Sequence, residues 1–400
     1  MNKNVCTLKA IRNCTGCGVC ASICGVGAIT IKETKDGFYE PVVDELKCVN
    51  CSLCTKVCYK FDSQYNTIEV ENYECYSAVN KNENELKSSS SGGMSSALMK
   101  QCLANGYHVV GVMYDKEKER AVTKIATCDE ELEQFKGAKY FQSYTVDAFK
   151  KMISDNTKQK YAIFGTPCQI YALSKVAEIK KNRHKYLFVD IFCHGCPSLK
   201  LWDKYLRFIK NKNKIDTIDN IKFRSKSYGW HEYAFEFVTK ERKIVSSKYD
   251  DPFFELFFGM DLMNNACYDC IARSTIEKTD LRIGDFWGKR FDLDTKGVSA
   301  VVVSTDKGKE LLDSIKTKID IQIASFDEII KAQSYKKIHN RNVDRVNYLR
   351  NLIISDKDIV YIVKKRRKML PLKTNLKRIL KKNLKLLPTS IYLKIKTKLK

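Results

Sequence analysis

Cys14-Thr-Gly-Cys17-Gly-Val-Cys20-Ala-Ser-Ile-Cys24 and, 34 residues later, Cys48-Val-Asn-Cys51-Ser-Leu-Cys54-Thr-Lys-Val-Cys58 repeat one spacing, C-x2-C-x2-C-x3-C. A loop of this kind sets three thiolates around three corners of an iron–sulfur cube, and chain geometry sends the fourth toward the neighbouring cube. The spacing therefore predicts two 4Fe-4S clusters, one on Cys14, Cys17, Cys20 and Cys58, the other on Cys48, Cys51, Cys54 and Cys24. Gly16 and Gly18 let the first loop wrap close to sulfur. A zinc module would need longer spacers between its ligand pairs.

The 400 residues leave room for a larger domain beside this module. Their 17 cysteines fall in tight clusters, a pattern of metal ligation more than of disulfides. Met1 to Lys9 is short and polar, without the apolar core of a leader, and no apolar run approaches the roughly 18–20 residues of a membrane span. A reducing, cytoplasmic setting is expected. The net charge of +24 is uneven: residues 364–400 hold 15 Lys and Arg and no acid, which leaves +9 for the rest.

Between the two cysteine runs, Ala28–Ile31 and Tyr39–Val43 read as strands joined at Asp36-Gly37. This region resembles the bacterial two-cluster ferredoxins, except that the proline usual after each fourth cysteine is replaced by Gly25 and Tyr59. The expected class is α+β: a two-cluster ferredoxin-like domain over residues 1–68, a larger α/β catalytic domain over 73–345 and a basic helical tail over 346–400.

In the larger domain, apolar runs alternate with amphipathic stretches. Ser88–Met94 leads into a helix and then the strand Tyr107–Tyr114. Tyr161–Phe164 runs into Gly165-Thr-Pro-Cys168-Gln169, and Tyr186–Phe192 into Cys193-His194-Gly195-Cys196. Ends of parallel strands gather along one sheet edge, where ligands sit. Cys168 and Cys193 could meet there and be joined by Cys267 and Cys270. These four could hold a third 4Fe-4S cluster or a zinc ion, or be buried thiols. Cys6, Cys75, Cys102, Cys128 and Cys196 lack partners in any spacing and are expected to be free.

Six motifs then occur in order: Ser89-Ser-Ser-Gly-Gly93, Lys136-Gly-Ala-Lys-Tyr140, Gly165–Gln169, Phe192-Cys-His-Gly195, Phe223-Arg-Ser-Lys226 and Ile283-Gly-Asp-Phe-Trp-Gly288. Together they resemble the family of coenzyme F420 hydrogenase and dehydrogenase beta subunits, to about residue 340. The resemblance implies FAD and iron–sulfur clusters that pass electrons to or from a small carrier, a deazaflavin in some members and other organic acceptors elsewhere. Ser90, Ser91, Gly92 and Gly93 at a helix start suit a pyrophosphate, Lys139 a phosphate, and Tyr140 a ring. Arg224 and Lys226 suit an anionic tail. His194 could donate a proton or hydrogen-bond the cofactor, while Asp285 and Trp287 could anchor and shield the cluster region. No GxGxxG fingerprint is present, which disfavours a nicotinamide site.

Leu372, Leu376, Ile379, Leu380, Leu384 and Leu387 recur at helical spacing among lysines, between Pro371 and Pro388. Such a helix suits the inner membrane surface, an acidic partner or its own domain. Nucleic-acid binding is disfavoured for want of interleaved aromatics. Two functions compete: an iron–sulfur flavoprotein enzyme fed by a redox partner protein or ferredoxin, and a non-catalytic electron-transfer subunit docking a separate enzyme. A structural metal scaffold is disfavoured by the duplicated cysteine spacing, and an optical spectrum distinguishes it.

Overall fold

Alternation along two apolar runs sets the centre of the fold. Tyr161 and Ile163, with Tyr186 and Phe188, face one apolar cluster, whereas Ala162, Phe164, Leu187 and Val189 face another on the opposite side. A strand covered on both faces belongs inside a sheet flanked by helices. The computed structural model describes residues 4–6, 14–62, 73–249 and 251–384.

Among these, the strands form three sheets. β1 (Ile29–Glu33) and β2 (Tyr39–Val43) make a hairpin beside the first cysteine loops. The central sheet takes β3 (Glu74–Asn80), β4 (Tyr107–Asp115), β5 (Arg120–Ala126), β6 (Ser143–Tyr144), β7 (Lys160–Gly165) and β8 (Tyr186–Ile191). A smaller antiparallel sheet takes β9 (Asn220–Ser225), β10 (Ala234–Val238) and β11 (Lys243–Ser247). β12 (Leu281–Asp285), β13 (Ser299–Val303) and β14 (Ile319–Ile323) complete the central sheet, in the order β14-β3-β13-β12-β8-β7-β4-β5-β6. Its centre, β12-β8-β7-β4, is parallel. The expected sheet edge is therefore present, with Cys168 just beyond β7, Cys193 just beyond β8 and Asp285 closing β12.

The small sheet belongs to an aromatic lobe that the sequence pattern does not separate from the α/β body. Trp202, Tyr205, Phe223, Phe235, Phe237 and Phe253 are fully buried there. The helices Val343–Ile354 and Ile359–Lys368 supply Leu349, Ile353, Ile359, Ile362 and Val363 to the same core. The expected tail thus divides. Its first part packs on the body, and the helix Leu372–Leu384 leaves Leu372, Leu376, Ile379 and Leu380 exposed. Leu387 and Pro388 lie outside the described residues.

One buried ion pair ties β8 to β12. Arg282 Nε and Nη2 donate to Asp190 Oδ1 and Oδ2 at 2.7 and 2.6 Å, and Nη1 donates to the Arg273 carbonyl at 2.6 Å. Both side chains are essentially solvent-free. Removing one partner strands the other charge in a medium that cannot solvate it, at a cost of about 3–5 kcal/mol. Arg282→Met is expected to lower stability by that amount, read as a fall in the urea midpoint; an unchanged midpoint would refute a load on this pair.

Candidate functional site

Two left-handed residues shape each cysteine loop. Gly16 and Gly18 have φ of +66° and +78°; 34 positions later, Asn50 and Ser52 have φ of +55° and +61°. The first loop uses glycine because the body crowds it: a Cβ on Gly16 would lie 2.5 Å from the Tyr39 carbonyl and 2.6 Å from Gln142 Nε2, and one on Gly18 would collide with the Thr145 hydroxyl. The second loop, with Asn50 and Cys51 exposed, tolerates side chains. Gln142 and Thr145 also fasten the first loop, donating to the Thr15 and Cys17 carbonyls at 2.8 and 2.9 Å. Gln142 Oε1 accepts the Tyr39 N–H at 2.9 Å.

Cys14, Cys17, Cys20 and Cys58 line one void. Burial, then the neighbouring Cys17 thiol, pushes Cys58 up to about 12. Burial and the Cys17, Cys14 and Cys58 thiols likewise raise Cys20. Thiols crowded in this way become thiolates when a metal centre supplies the positive charge. On the other side, Cys54 and Cys24 share an apolar cluster with Cys6. Cys51 is exposed, and Cys24 Sγ accepts the Ala28 N–H at 3.3 Å.

A second cavity, of about 700 Å³, begins at the body face of that loop. Thr15, Gly16 and Cys17 line it, and so do Cys168, Cys193, Cys196, Cys267 and Cys270. Cys168 sits in the first turn of the helix Pro167–Ile179, whose start is fixed by a reciprocal Thr166/Gln169 cap. Cys267 and Cys270 lie around short 3-10 turns. Burial and the Cys270 thiol push Cys193 up to about 11. Cys196, expected to be free, is raised by burial and by Cys267, Cys193 and Cys168, so it belongs to this group. Its signal was available: Cys193 and Cys196 form a C-x2-C pair matching Cys267 and Cys270. Among the described residues, no three His, Cys, Asp or Glu side chains converge as a lone metal ion requires.

The same cavity takes in the serine–glycine turn. Ser90, Ser91, Gly93 and the first residues of the helix Met94–Ala104 line it, together with Lys100, Lys136 and Lys139. Gly92 does not. Its N–H donates to Ser299 Oγ at 3.0 Å, and a Cβ there would collide with the Ala78 carbonyl, so Gly92 docks the turn on the sheet and presents no amide to a phosphate. Lys226 Nζ clamps the same turn through the Leu86 and Ser91 carbonyls at 2.8 and 2.6 Å; it braces the turn. Lys139, expected to meet a phosphate, donates to the carbonyls of Gln134, Phe135, Lys136 and Gly137 at 3.0–3.3 Å. Burial lowers its pKa to about 7, and the four carbonyls favour its charged form. Glu85 pairs with Lys100 and Lys136 at 2.7 and 3.0 Å.

Aromatic rings close the remaining wall: Tyr140, Tyr233, Phe257, Phe258 and Trp287. Arg224 lies among them, 4.5 Å from the Tyr233 ring centroid and 5.0 Å from that of Trp287, and is paired with Asp285. Asp285 Oδ1 also accepts Trp230 Nε1 at 2.8 Å, so Asp285 orients Arg224 and the aromatic wall more than the thiols. Arg224 Nε is buried without a hydrogen-bond partner among the described residues. His194 Nδ1 meets Ser334 Oγ at 3.1 Å, and burial with the Arg273 charge lowers its pKa. One cavity thus brings together a helix start, an aromatic wall and a buried guanidinium, a lining that suits a large anionic ligand bearing a ring.

A ferredoxin module opening onto such a cavity defines a class, the iron–sulfur oxidoreductases of the electron-transfer type. Comparison narrows it. Residues 13–60 match a 4Fe-4S dicluster domain. Residues 75–150 and 158–329 match the coenzyme F420 hydrogenase/dehydrogenase beta subunit, N-terminal and C-terminal parts respectively, and the chain belongs to that family. An F420H2 dehydrogenase component of Methanosarcina mazei is 22% identical over 318 residues, which are 77% of this chain and 84% of that one. A coenzyme F420-dependent sulfite reductase of Methanocaldococcus jannaschii is 24% identical over 357 residues; the match takes in 84% of this chain but 52% of that protein, so the chain spans about half its length. A solved F420-reducing NiFe hydrogenase complex from Methanosarcina barkeri aligns with a TM-score of 0.44 and 16% identity, over 74% of this chain and 90% of that one. No helix among the described residues is long and apolar enough to cross a membrane.

Proposed function

We propose that the chain is an iron–sulfur flavoprotein that carries electrons through three 4Fe-4S clusters and FAD to or from a small organic carrier of the deazaflavin type. One observation carries this reading: a single cavity is lined at once by the first cysteine loop, by the thiol group around Cys193 and by the serine–glycine turn with its aromatic wall. Cys14, Cys17, Cys20 and Cys58 would hold the first cluster, and Cys48, Cys51, Cys54 and Cys24 the second. Cys168, Cys193, Cys267 and Cys270 would hold the third, with Cys196 as a fifth thiol beside it. Ser90, Ser91, Gly93 and the helix start would hold the FAD phosphates; Tyr140 and Arg224 would face its ring-bearing part. A bound FAD would couple the single-electron traffic of clusters to the pair transfer that organic carriers need. His194, oriented by Ser334, is the proposed proton-handling group. A redox partner protein or ferredoxin would dock near the exposed Cys51 loop. The exposed apolar stripe of the helix Leu372–Leu384 among lysines suits contact with an anionic membrane surface.

The second reading, an electron-transfer subunit without turnover of its own, rests on the same clusters. Anaerobic reconstitution followed by reduction and addition of a deazaflavin separates them. The enzyme reading expects flavin absorbance to return as the carrier is reduced. Clusters that reoxidise with a protein partner while the carrier stays untouched would favour the second reading.

A further inference from the structure

Tyr59 stands directly after Cys58, where bacterial two-cluster ferredoxins usually have proline, and its ring packs against residues of the larger domain. Its side chain is 1% exposed, and its hydroxyl is buried without a hydrogen-bond partner among the described residues. The ring stacks on Tyr171, centroids 5.3 Å apart and planes 21° from parallel. Tyr59, Tyr171 and Ala272 form one small apolar cluster, against which Cys168, Cys270 and Ile271 pack. Tyr171 differs from its neighbour: its hydroxyl donates to Asp62 Oδ2 at 3.1 Å. One of two stacked phenols is thus satisfied, and the other lies without a partner in a cluster that Cys168 and Cys270 pack against.

A tyrosine phenol is a neutral O–H at neutral pH, so this one is a donor. A buried donor is rarely left without an acceptor. Thiolate and sulfide sulfurs are acceptors, and a cluster gains negative charge on reduction, so a hydrogen bond to its sulfur favours the reduced state and raises the potential.

We propose that the Tyr59 hydroxyl donates a hydrogen bond to a sulfur of the cluster held by Cys168 and Cys270, and sets that cluster's reduction potential above the value its thiolates alone would give. Tyr59 is then a positioning residue joining two centres: covalently next to a ligand of the first cluster and hydrogen-bonded to the third. The inference rests on the three-cluster reading.

The test uses the full chain, reconstituted anaerobically, with iron counted and each cluster titrated potentiometrically by its paramagnetic signal. In Tyr59→Phe, iron content is expected to match wild type, one couple to shift downward and the other two to hold. Tyr171→Phe, which keeps the Tyr59 hydroxyl, is expected to shift none. Three unchanged couples in Tyr59→Phe, or an equal shift in Tyr171→Phe, would overturn the inference and leave the three-cluster reading standing. Wild type with iron for two clusters would overturn both. Should Tyr59→Phe lose iron, difluorotyrosine at position 59 keeps the ring and strengthens the donor. The same couple is then expected to rise, and the absence of a rise would overturn the proposal.

Discussion

Cys270→Ser is expected to remove about four of about twelve irons, the content of one cubane cluster, and to disconnect the flavin from the ferredoxin module. Cys168, Cys193 and Cys267 each have Cys270 among the thiols that raise them, so it is central to the group. The first two clusters would persist, because their cysteines lie in a module with its own hairpin and its own void. Flavin reduction by a reduced ferredoxin should slow at least 100-fold while direct chemical reduction of the flavin continues. A fifth thiol gives the experiment a second arm: Cys196→Ser should retain its iron. Iron content unchanged in Cys270→Ser would remove the third cluster from the account.

Gly93→Val is expected to release the flavin and spare the clusters. Gly93 has φ of +80°, a left-handed conformation costly for a β-branched residue, and a Cβ there would lie 2.9 Å from Asn80 Cβ. The residues that follow it begin the helix Met94–Ala104 and line the cavity. Moving this turn misdirects the helix terminus that favours a phosphate. An affinity loss of at least 100-fold, equivalent to about 2.7 kcal/mol, is the expected result of equilibrium dialysis with FAD. The variant's iron content and cluster absorbance should match wild type. Full flavin retention would place the dinucleotide elsewhere.

How much of this was legible in the sequence follows from the range of the interactions. The ferredoxin loops are local: eight cysteines at fixed spacing fix their own geometry, and the strands Ile29–Glu33 and Tyr39–Val43 fall where Asp36-Gly37 announces a turn. Cys168 and Cys193 were also within reach, because each ends an apolar run that pairs in parallel with the other. The aromatic lobe was not, since its core joins Trp202, Phe235, Phe253 and Ile362 from segments far apart in the chain. Nor does the sequence distinguish Gly92 from Gly93. One docks on Ser299, more than 200 residues away, and the other faces the cavity; only tertiary packing separates them. Lys139 and Lys226 look like anion-binding charges in the sequence, yet backbone carbonyls near in space hold both ammonium groups. Cys196 escapes the sequence reading although its pairing with Cys193 is visible there.

Iron, sulfide and flavin quantified together on the anaerobically purified full chain test the central claim most directly. The account predicts about twelve irons, about twelve sulfides and one FAD per chain, as three cubane clusters and one flavin require. About eight irons with no flavin, in protein whose two ferredoxin clusters are fully loaded, would contradict it.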